Sequence, residues 1–251
     1  MDFHIFAWMK LYRVVLATVQ VRKEPSHRSE LTNQLLYGES VRILQHENEW
    51  VYVESIHDGY LGWVEDKYSL IEHDKENIDF VVSPFTYLDT ELESSYLPFG
   101  ALVNPDLIHE EYEWTNKISK ESFSLDEALA LIQTVFYGCP YLWGGRTIFG
   151  IDCSGLTQLF GRIMGYKWPR DAQQQAEIGY EVTALTKTLP GDLAFFSNKE
   201  GRITHVGIIL STESILHASG KVRIDLIEEK GIYNMDTDTM THTLHSIKRW
   251  Y

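Results

Sequence analysis

The sequence predicts an α+β domain in the C-terminal half of the chain, preceded by one or two small β-barrel modules. Three observations carry that reading. Short β-branched and aromatic runs, punctuated by turn residues, crowd the chain up to about Ile71, the pattern of a small barrel. Ser124-Leu-Asp-Glu127 then forms a capping box, and the apolar residues behind it recur at helical spacing. Past the helical section, alternating apolar runs separated by polar turns follow one another, and helices followed by antiparallel strands make an α+β domain. A chain of 251 residues suits a core domain with one or two small modules, and its 44% apolar content supplies a core.

Val14-Val-Leu-Ala-Thr-Val-Gln-Val-Arg22 reads as the first strand. Leu35-Leu-Tyr-Gly-Glu-Ser-Val-Arg-Ile-Leu44 bends at Gly38 between two apolar runs. Trp50-Val-Tyr-Val-Glu54 alternates, and Asp58-Gly59 turns it into Tyr60-Leu-Gly-Trp-Val64. Trp50 and Trp63 are the expected core or groove aromatics. This stretch resembles a bacterial SH3 domain, most specifically in the run from Asp58 to Val64. The acidic stretch Glu72 to Asp79 reads as a linker. Beyond it Val81 to Val103 resembles a degenerate second copy, with Pro98-Phe-Gly100 standing where Leu36-Tyr-Gly38 stood. The expected organisation is residues 1–75 as an SH3 module, 76–121 as a second SH3-like module or linker, and 122–251 as the α+β domain.

In that last domain Ser124 caps a helix whose apolar face is Leu125, Ala128, Leu129, Ile132, Val135 and Phe136, ended by Gly138 and Pro140. Leu193-Ala-Phe-Phe196, Ile203-Thr-His-Val-Gly-Ile-Ile-Leu210 and Ser214-Ile-Leu-His-Ala-Ser219 are strands.

The formal charge of −14 argues against nucleic acid or an anionic membrane surface as partner. It also disfavours capture of a polyanionic wall and suits a small or partly cationic substrate. Met1 to Lys10 carries an early acid and no basic n-region, and its apolar run is broken by Lys10 and Arg13, so no secretory signal is read there. No run is long enough to span a membrane, and the expected compartment is the cytoplasm. Two cysteines, Cys139 and Cys153, are too few for a disulfide framework or zinc cluster. No metal or cofactor is called for.

Cys153 stands where the glycine-rich stretch Tyr141 to Asp152 turns into the apolar run Leu156 to Met164. Free amides and the helix dipole at such a point favour thiolate over thiol, which makes Cys153 a candidate nucleophile. A nucleophile needs a base, and the base needs an orienting group. Among ten histidines, strand alternation puts His205 on one face with Ile203, Gly207 and Ile209, and His217 on one face with Ile215 and Ser219. Hairpin neighbours would let the two imidazoles touch. His4, His27, His46, His57, His73, His109, His242 and His245 read as surface or fold residues. Two other readings stay open: a histidine in an apolar strand is often structural, and Cys-Ser-Gly at a helix start can be a packing turn.

From Ser124 onward the chain resembles the NlpC/P60 cysteine peptidases. The resemblance rests on Tyr141-Leu-Trp-Gly-Gly145, Asp152-Cys-Ser-Gly155, Pro169-Arg-Asp171, Pro190-Gly-Asp-Leu193, Thr204-His-Val-Gly-Ile208 and His217-Ala218, in the family's order over about half the chain. It implies a papain-like fold, Cys153 as nucleophile, His205 as general base and acid, His217 as the polar third member, and Tyr141 beside the oxyanion. An SH3 module before the peptidase resembles the YkfC-type branch. That branch implies a cytoplasmic γ-D-glutamyl-L-diamino acid endopeptidase acting on murein-derived peptides with a free N-terminal L-Ala; the chain is expected to be a monomer. By the same resemblance Asp171 pairs with the free amine, and Trp143, Asp152 and Ser154 line the substrate, with Asp152 alternatively holding the loop. Tyr60 and Glu30 are the substrate contacts expected from the SH3 module. Ala172 stands where the branch often has serine. The alternatives are a hydrolase or acyltransferase of intact wall and a non-catalytic wall-binding protein.

Overall fold

The computed structural model describes residues 10–73, 79–89, 94–103, 118–119 and 122–251. The reading of the first residues as no export signal, and His4 and His109, lie outside them. The chain divides into two compact units, Met1–Lys120 and Glu121–Tyr251.

In the first unit, strands β1 (Leu11–Val14), β2 (Thr18–Arg22), β3 (Leu31–Leu36), β4 (Ser40–Glu47), β5 (Trp50–Ser55), β6 (Leu61–Glu65) and β7 (Leu70–His73) form one antiparallel sheet. Its order is β3-β2-β6-β5-β4-β1-β7. The sheet curls over a single apolar cluster of Val14, Val19, Val21, Leu35, Val41, Val51, Val53 and Val64, with Leu70 packed against it. The expected single strand Val14–Arg22 is two strands. Its first part pairs with β4 and β7 and its second with β3 and β6, so the chain must break where it changes partners. Trp50 and Trp63 are not the core. Both are half-buried, and the alternation of β5 and β6 turns Val51, Val53 and Val64 inward instead. Trp50 meets the edge of His27, and Trp63 meets Tyr52.

The stretch from Glu72 to Asp79 is not wholly a linker. Glu72 and His73 pair with β1, and Asp79 is buried at the start of β8 (Asp79–Val81), while residues 74–78 lie outside the described residues. Strands β9 (Phe85–Asp89) and β10 (Ser94–Pro98) form a hairpin, and β11 (Leu102–Val103) and β12 (Ile118–Ser119) flank β8. One turn does repeat. Gly38 and Gly100 adopt φ of 81° and 82°, a region that suits glycine. Each donates its N–H to a valine carbonyl, Val14 at 2.9 Å and Val81 at 2.8 Å. Leu102 N–H donates to Tyr37 O at 2.8 Å, so the second stretch docks on the first turn.

The second unit opens with α1 (Leu125–Phe136), capped as the Ser124–Glu127 pair requires, with both capping-box bonds made and Ala128, Leu129, Ile132, Val135 and Phe136 buried. A short hairpin, β13 (Arg146–Thr147) and β14 (Gly150–Ile151), leads into α2 (Cys153–Ile163). Then come α3 (Ala172–Gln175), β15 (Tyr180–Glu181) and a 3-10 turn at Leu185–Lys187. Strands β16 (Leu193–Ser197), β17 (Ile203–Ser211), β18 (Ser214–Ser219), β19 (Lys221–Glu228), β20 (Gly231–Asn234) and β21 (Thr239–Arg249) pair in succession. Because β21 pairs with both β16 and β20, these strands close into a barrel, with β15 on the outside of β21. Ala194, Phe196, Ile209, Ile215, Ile227, Ile232 and Ile247 fill its interior, at least one from every strand. Helix α2 packs outside on β17 and β18.

Candidate active site

The loop before α2 is tied down by one carboxylate. Asp152 is the N-cap of α2, and its Oδ1 accepts from Gly155 N at 2.7 Å, satisfying an end-of-helix donor. Its Oδ2 accepts from Gly144 N at 2.8 Å, which folds the glycine-rich stretch back on the helix start. Arg170 closes the arrangement with a two-pronged contact to both oxygens at 2.9 and 2.6 Å and a third bond to Ser154 Oγ at 2.8 Å. Asp152, Ser154 and Arg170 are all buried. Asp152 and Ser154, expected to line the substrate, therefore turn inward and serve the loop. The fork geometry of the guanidinium is what selects arginine here.

Cys153 follows as the first residue of α2 and is buried, with the amides of Ser154 and Val206 directed at its sulfur. Burial pushes its thiol up to about 12, and the Asp152 carboxylate pushes the same way against those amides and Arg170. This reverses the expectation of a thiolate at rest. The dipole argument holds for its own contribution, but it omits the loss of water and the acid placed at the N-cap. Tyr141, half-buried, is fixed by its N–H to Gly220 O at 3.0 Å and by a bridge to Ile151. Its phenol titrates well above its ordinary range because of burial and the nearby Cys153 and Asp152.

The register of β17 on β18 sets Gly207 opposite His217, so His205 lies diagonally across on the same face. His205 Nε2 and His217 Nδ1 are 2.9 Å apart. Glycine is needed between them, since a Cβ at Gly207 would sit 2.7 Å from Ile215 Cδ1 and 3.0 Å from His217 Cβ. His217 Nε2 reaches Asp225 Oδ2 at 3.0 Å, and Arg223 holds Asp225 through Nη2 to Oδ1 at 2.8 Å and Nε to Oδ2 at 2.7 Å. Burial works to raise the Asp225 pKa, but the hydrogen bonds from His217 and Arg223 outweigh it and hold the carboxyl at about 2.

A third imidazole joins the pair. His242 on β21 stacks on His205 with ring centroids 4.2 Å apart and planes inclined by 27°. Burial and the neighbouring His217 lower His242 to about 4, with Asp225 opposing. Burial, then His242 and His217, push His205 well below the ordinary imidazole value.

Asp171 stands at the start of α3 with its carboxylate exposed and makes no side-chain cap bond. Gln175 anchors that short helix by donating to Ser154 O at 3.1 Å and Pro169 O at 2.8 Å while accepting from Thr157 Oγ1 at 2.7 Å. Trp143 is 55% exposed and so presents an aromatic surface to solvent. Tyr60 lies in the first unit, its N–H donating to Asp58 Oδ1 at 3.1 Å and its ring packed on the valine core. Glu30, also in the first unit, is exposed and 3.9 Å from Lys23 Nζ.

Two family descriptions match this chain: NlpC/P60 family over residues 138–247 and bacterial dipeptidyl-peptidase Sh3 domain over residues 21–67. The gamma-D-glutamyl-L-lysine dipeptidyl-peptidase of Bacillus subtilis (strain 168) is 32% identical over 216 residues, covering 75% of this chain and 72% of that protein. The chain belongs to the NlpC/P60 family. The NlpC/P60 chain is thus a peptidase of the cysteine class, carrying a bacterial SH3 domain ahead of the peptidase unit. The protein of the same name from Bacillus cereus (strain ATCC 10987 / NRS 248) is 28% identical over 232 residues, covering 77% of this chain and 68% of that one. A crystal structure of an NlpC/P60 family protein from Bacillus cereus ATCC 10987 matches with a TM-score of 0.78 at 19% identity, covering 95% of this chain and 99% of that one. That likeness is one of fold. The NlpC/P60 peptidase unit combines α1 and α2 with a closed barrel, where the sequence foretold antiparallel strands without closure.

Sequence reasoning missed Arg170, Asp225, Arg223 and His242 as parts of this site. Arg170 was in view inside Pro169-Arg-Asp171, without a role. Asp225 had a signal: β19 follows the histidine strand through a tight turn at Gly220, and alternation puts Arg223 and Asp225 on the face of His217. His242 had none, because only closure of β21 on β16 brings it to His205.

Proposed function

We propose that the protein is a cysteine endopeptidase for murein-derived peptides. It cuts between γ-linked D-Glu and the diamino acid of L-Ala-γ-D-Glu-diamino acid, in the recycling of released wall peptides. The observation that carries the reading is Cys153 at the start of α2, its sulfur met by the amide of Val206, the neighbour in sequence of His205, which is paired with His217, in a chain similar to gamma-D-glutamyl-L-lysine dipeptidyl-peptidases.

In this site the resting pair is neutral thiol and neutral imidazole, since burial opposes a charge on either. His205 Nε2 is taken by His217, which leaves Nδ1 for the thiol. As Sγ attacks the γ-carbonyl carbon, its proton passes to Nδ1, and the developing oxyanion is met by the Cys153 backbone N–H and Tyr141. Collapse breaks the C–N bond, and the departing amine takes the proton from His205. Water, deprotonated by His205, then hydrolyses the thioester and frees Cys153. Asp171 pairs with the α-ammonium of L-Ala, with Trp143 as a further contact.

The test is incubation with L-Ala-γ-D-Glu-meso-diaminopimelate and mass spectrometry for L-Ala-D-Glu. Cleavage by the native protein, none by Cys153→Ala, and a large loss on N-acetylation of the peptide are expected. Equal turnover by Cys153→Ala would sink the proposal. Full activity on the acetylated peptide would remove Asp171 from its role and favour cleavage of intact wall.

A further inference from the structure

We propose that Asp225 is a positioning residue that fixes the tautomer of His205 through His217. The inference rests on the reading of Cys153 and His205 as nucleophile and base, and concerns what makes that base usable.

With both imidazoles neutral, the hydrogen-bond geometry fixes the assignment in three steps. Asp225 is held by a guanidinium that touches both its oxygens, so it stays a carboxylate and can only accept. His217 Nε2, 3.0 Å from Asp225 Oδ2, must then carry the proton and donate. A neutral imidazole has one donor and one acceptor nitrogen, which leaves His217 Nδ1 as an acceptor. His205 Nε2, 2.9 Å from that atom, must in turn donate. Neutral His205 is therefore bare at Nδ1, the nitrogen that has to take the thiol proton. Each link is buried, where water cannot supply a substitute partner and an unmatched donor pair is costly. The depressed pKa of Asp225, at about 2, has the same origin.

The placement follows from the strands. Ile215 pairs with Asp225 and His217 with Arg223 across β18 and β19, so the carboxylate and the imidazole share the inner face one step apart. Arg223 is anchored in turn by Asn234 Oδ1 at 3.1 Å and Asp236 at 2.9 Å.

Two substitutions separate this role from plain structural support. In Asp225→Asn the amide oxygen stays on Arg223 Nη2, which makes the hydrogen bond to Asp225, whereas Nε, though 2.7 Å from Oδ2, makes none. This turns the amide NH₂ toward His217 Nε2. His217 must then accept there and donate from Nδ1. His205 accepts at Nε2 and carries its proton on Nδ1, where no base remains. Asp225→Ala imposes neither tautomer. The near-isosteric Asn is thus expected to be the worse catalyst, with kcat reduced on the order of 10²–10⁴-fold, below the Ala variant, and with KM little changed. A purely structural role gives the opposite order, because Ala leaves a hole beside Arg223.

Nitrogen-15 NMR of the histidine side chains reads the tautomers directly. The expected result is His205 protonated at Nε2 in the native protein and at Nδ1 in Asp225→Asn. A native His205 protonated at Nδ1, or an Asn variant that keeps the native tautomer and outperforms Ala, overturns the inference. Absence of cleavage by the native protein together with the Nε2–H tautomer would instead sink the peptidase reading and leave this one standing.

Discussion

Cys153 and His205 are each buried where charge is not carried easily. Burial drives the thiol up to about 12 and the imidazole well down from its ordinary value. A preformed ion pair, the expectation from the helix terminus alone, would give a bell-shaped rate profile and rapid alkylation at mildly acid pH. The neutral pair gives a different profile: kcat/KM should stay level across neutral pH, with its acid limb displaced below the ordinary imidazole range. Iodoacetamide should label Cys153 more slowly at pH 7 than it labels a cysteine in a short peptide. Rapid labelling at pH 6 would contradict the buried neutral thiol. His242 makes a second prediction. Its imidazole titrates near 4 in the folded protein and near 6.5 when exposed by unfolding. Between those values the unfolded chain binds more protons, so stability must fall as pH drops from about 6.5 to about 4 and this contribution then levels off. His205 acts in the same direction. Urea midpoints across that range measure it, and His242→Phe should flatten the slope.

At the scale of elements, the hairpin of β17 and β18 holds the two imidazoles in contact only because Gly207 leaves room. The Ile215 methyl can swing away from an added Cβ, but the His217 Cβ is fixed to the strand. Gly207→Ala should therefore displace His217 and lower kcat by about tenfold or more, with a stability loss of only about 1–3 kcal/mol from overpacking. Unchanged kcat would show that the pair tolerates the shift. This hairpin was legible in the sequence, since its two strands are neighbours and period-two alternation fixes their faces. The capping box of α1 was legible for the same reason, being local. The Cys153 environment was not. Its charge balance depends on Arg170, 17 residues on in sequence by direct count, and on the burial of the whole loop. The closure of β21 on both β16 and β20 joins strands whose pairing no short-range pattern reports, and with it His242 stayed hidden.

Over the whole molecule, the chain carries a formal charge of −14. A field of that sign repels an anionic substrate at long range and is screened by salt. The meso-diaminopimelate peptide is anionic at neutral pH, whereas the lysine peptide has no net charge. Raising ionic strength should therefore increase kcat/KM for the first and leave the second nearly unchanged. Equal responses would mean that local charges, not the overall field, govern approach. The SH3-like character of the first unit was legible from turn spacing. Its valine core was not, because the tryptophans that suggest a core fall on the wrong phase of β5 and β6.

The docking of Leu102 on the Gly38 turn bears on where this chain can be shortened. A side-chain carbon at Gly38 would fall on the Leu102 carbonyl, and the Val81, Leu97, Ala101 and Val103 cluster packs against Tyr37. A gene truncated after codon 75, at the apparent end of the SH3 module, would strip the donor from Tyr37 O and bare the side of its ring. Such a fragment should be recovered largely insoluble, while one running to Lys120 keeps its own lining and should be recovered in solution.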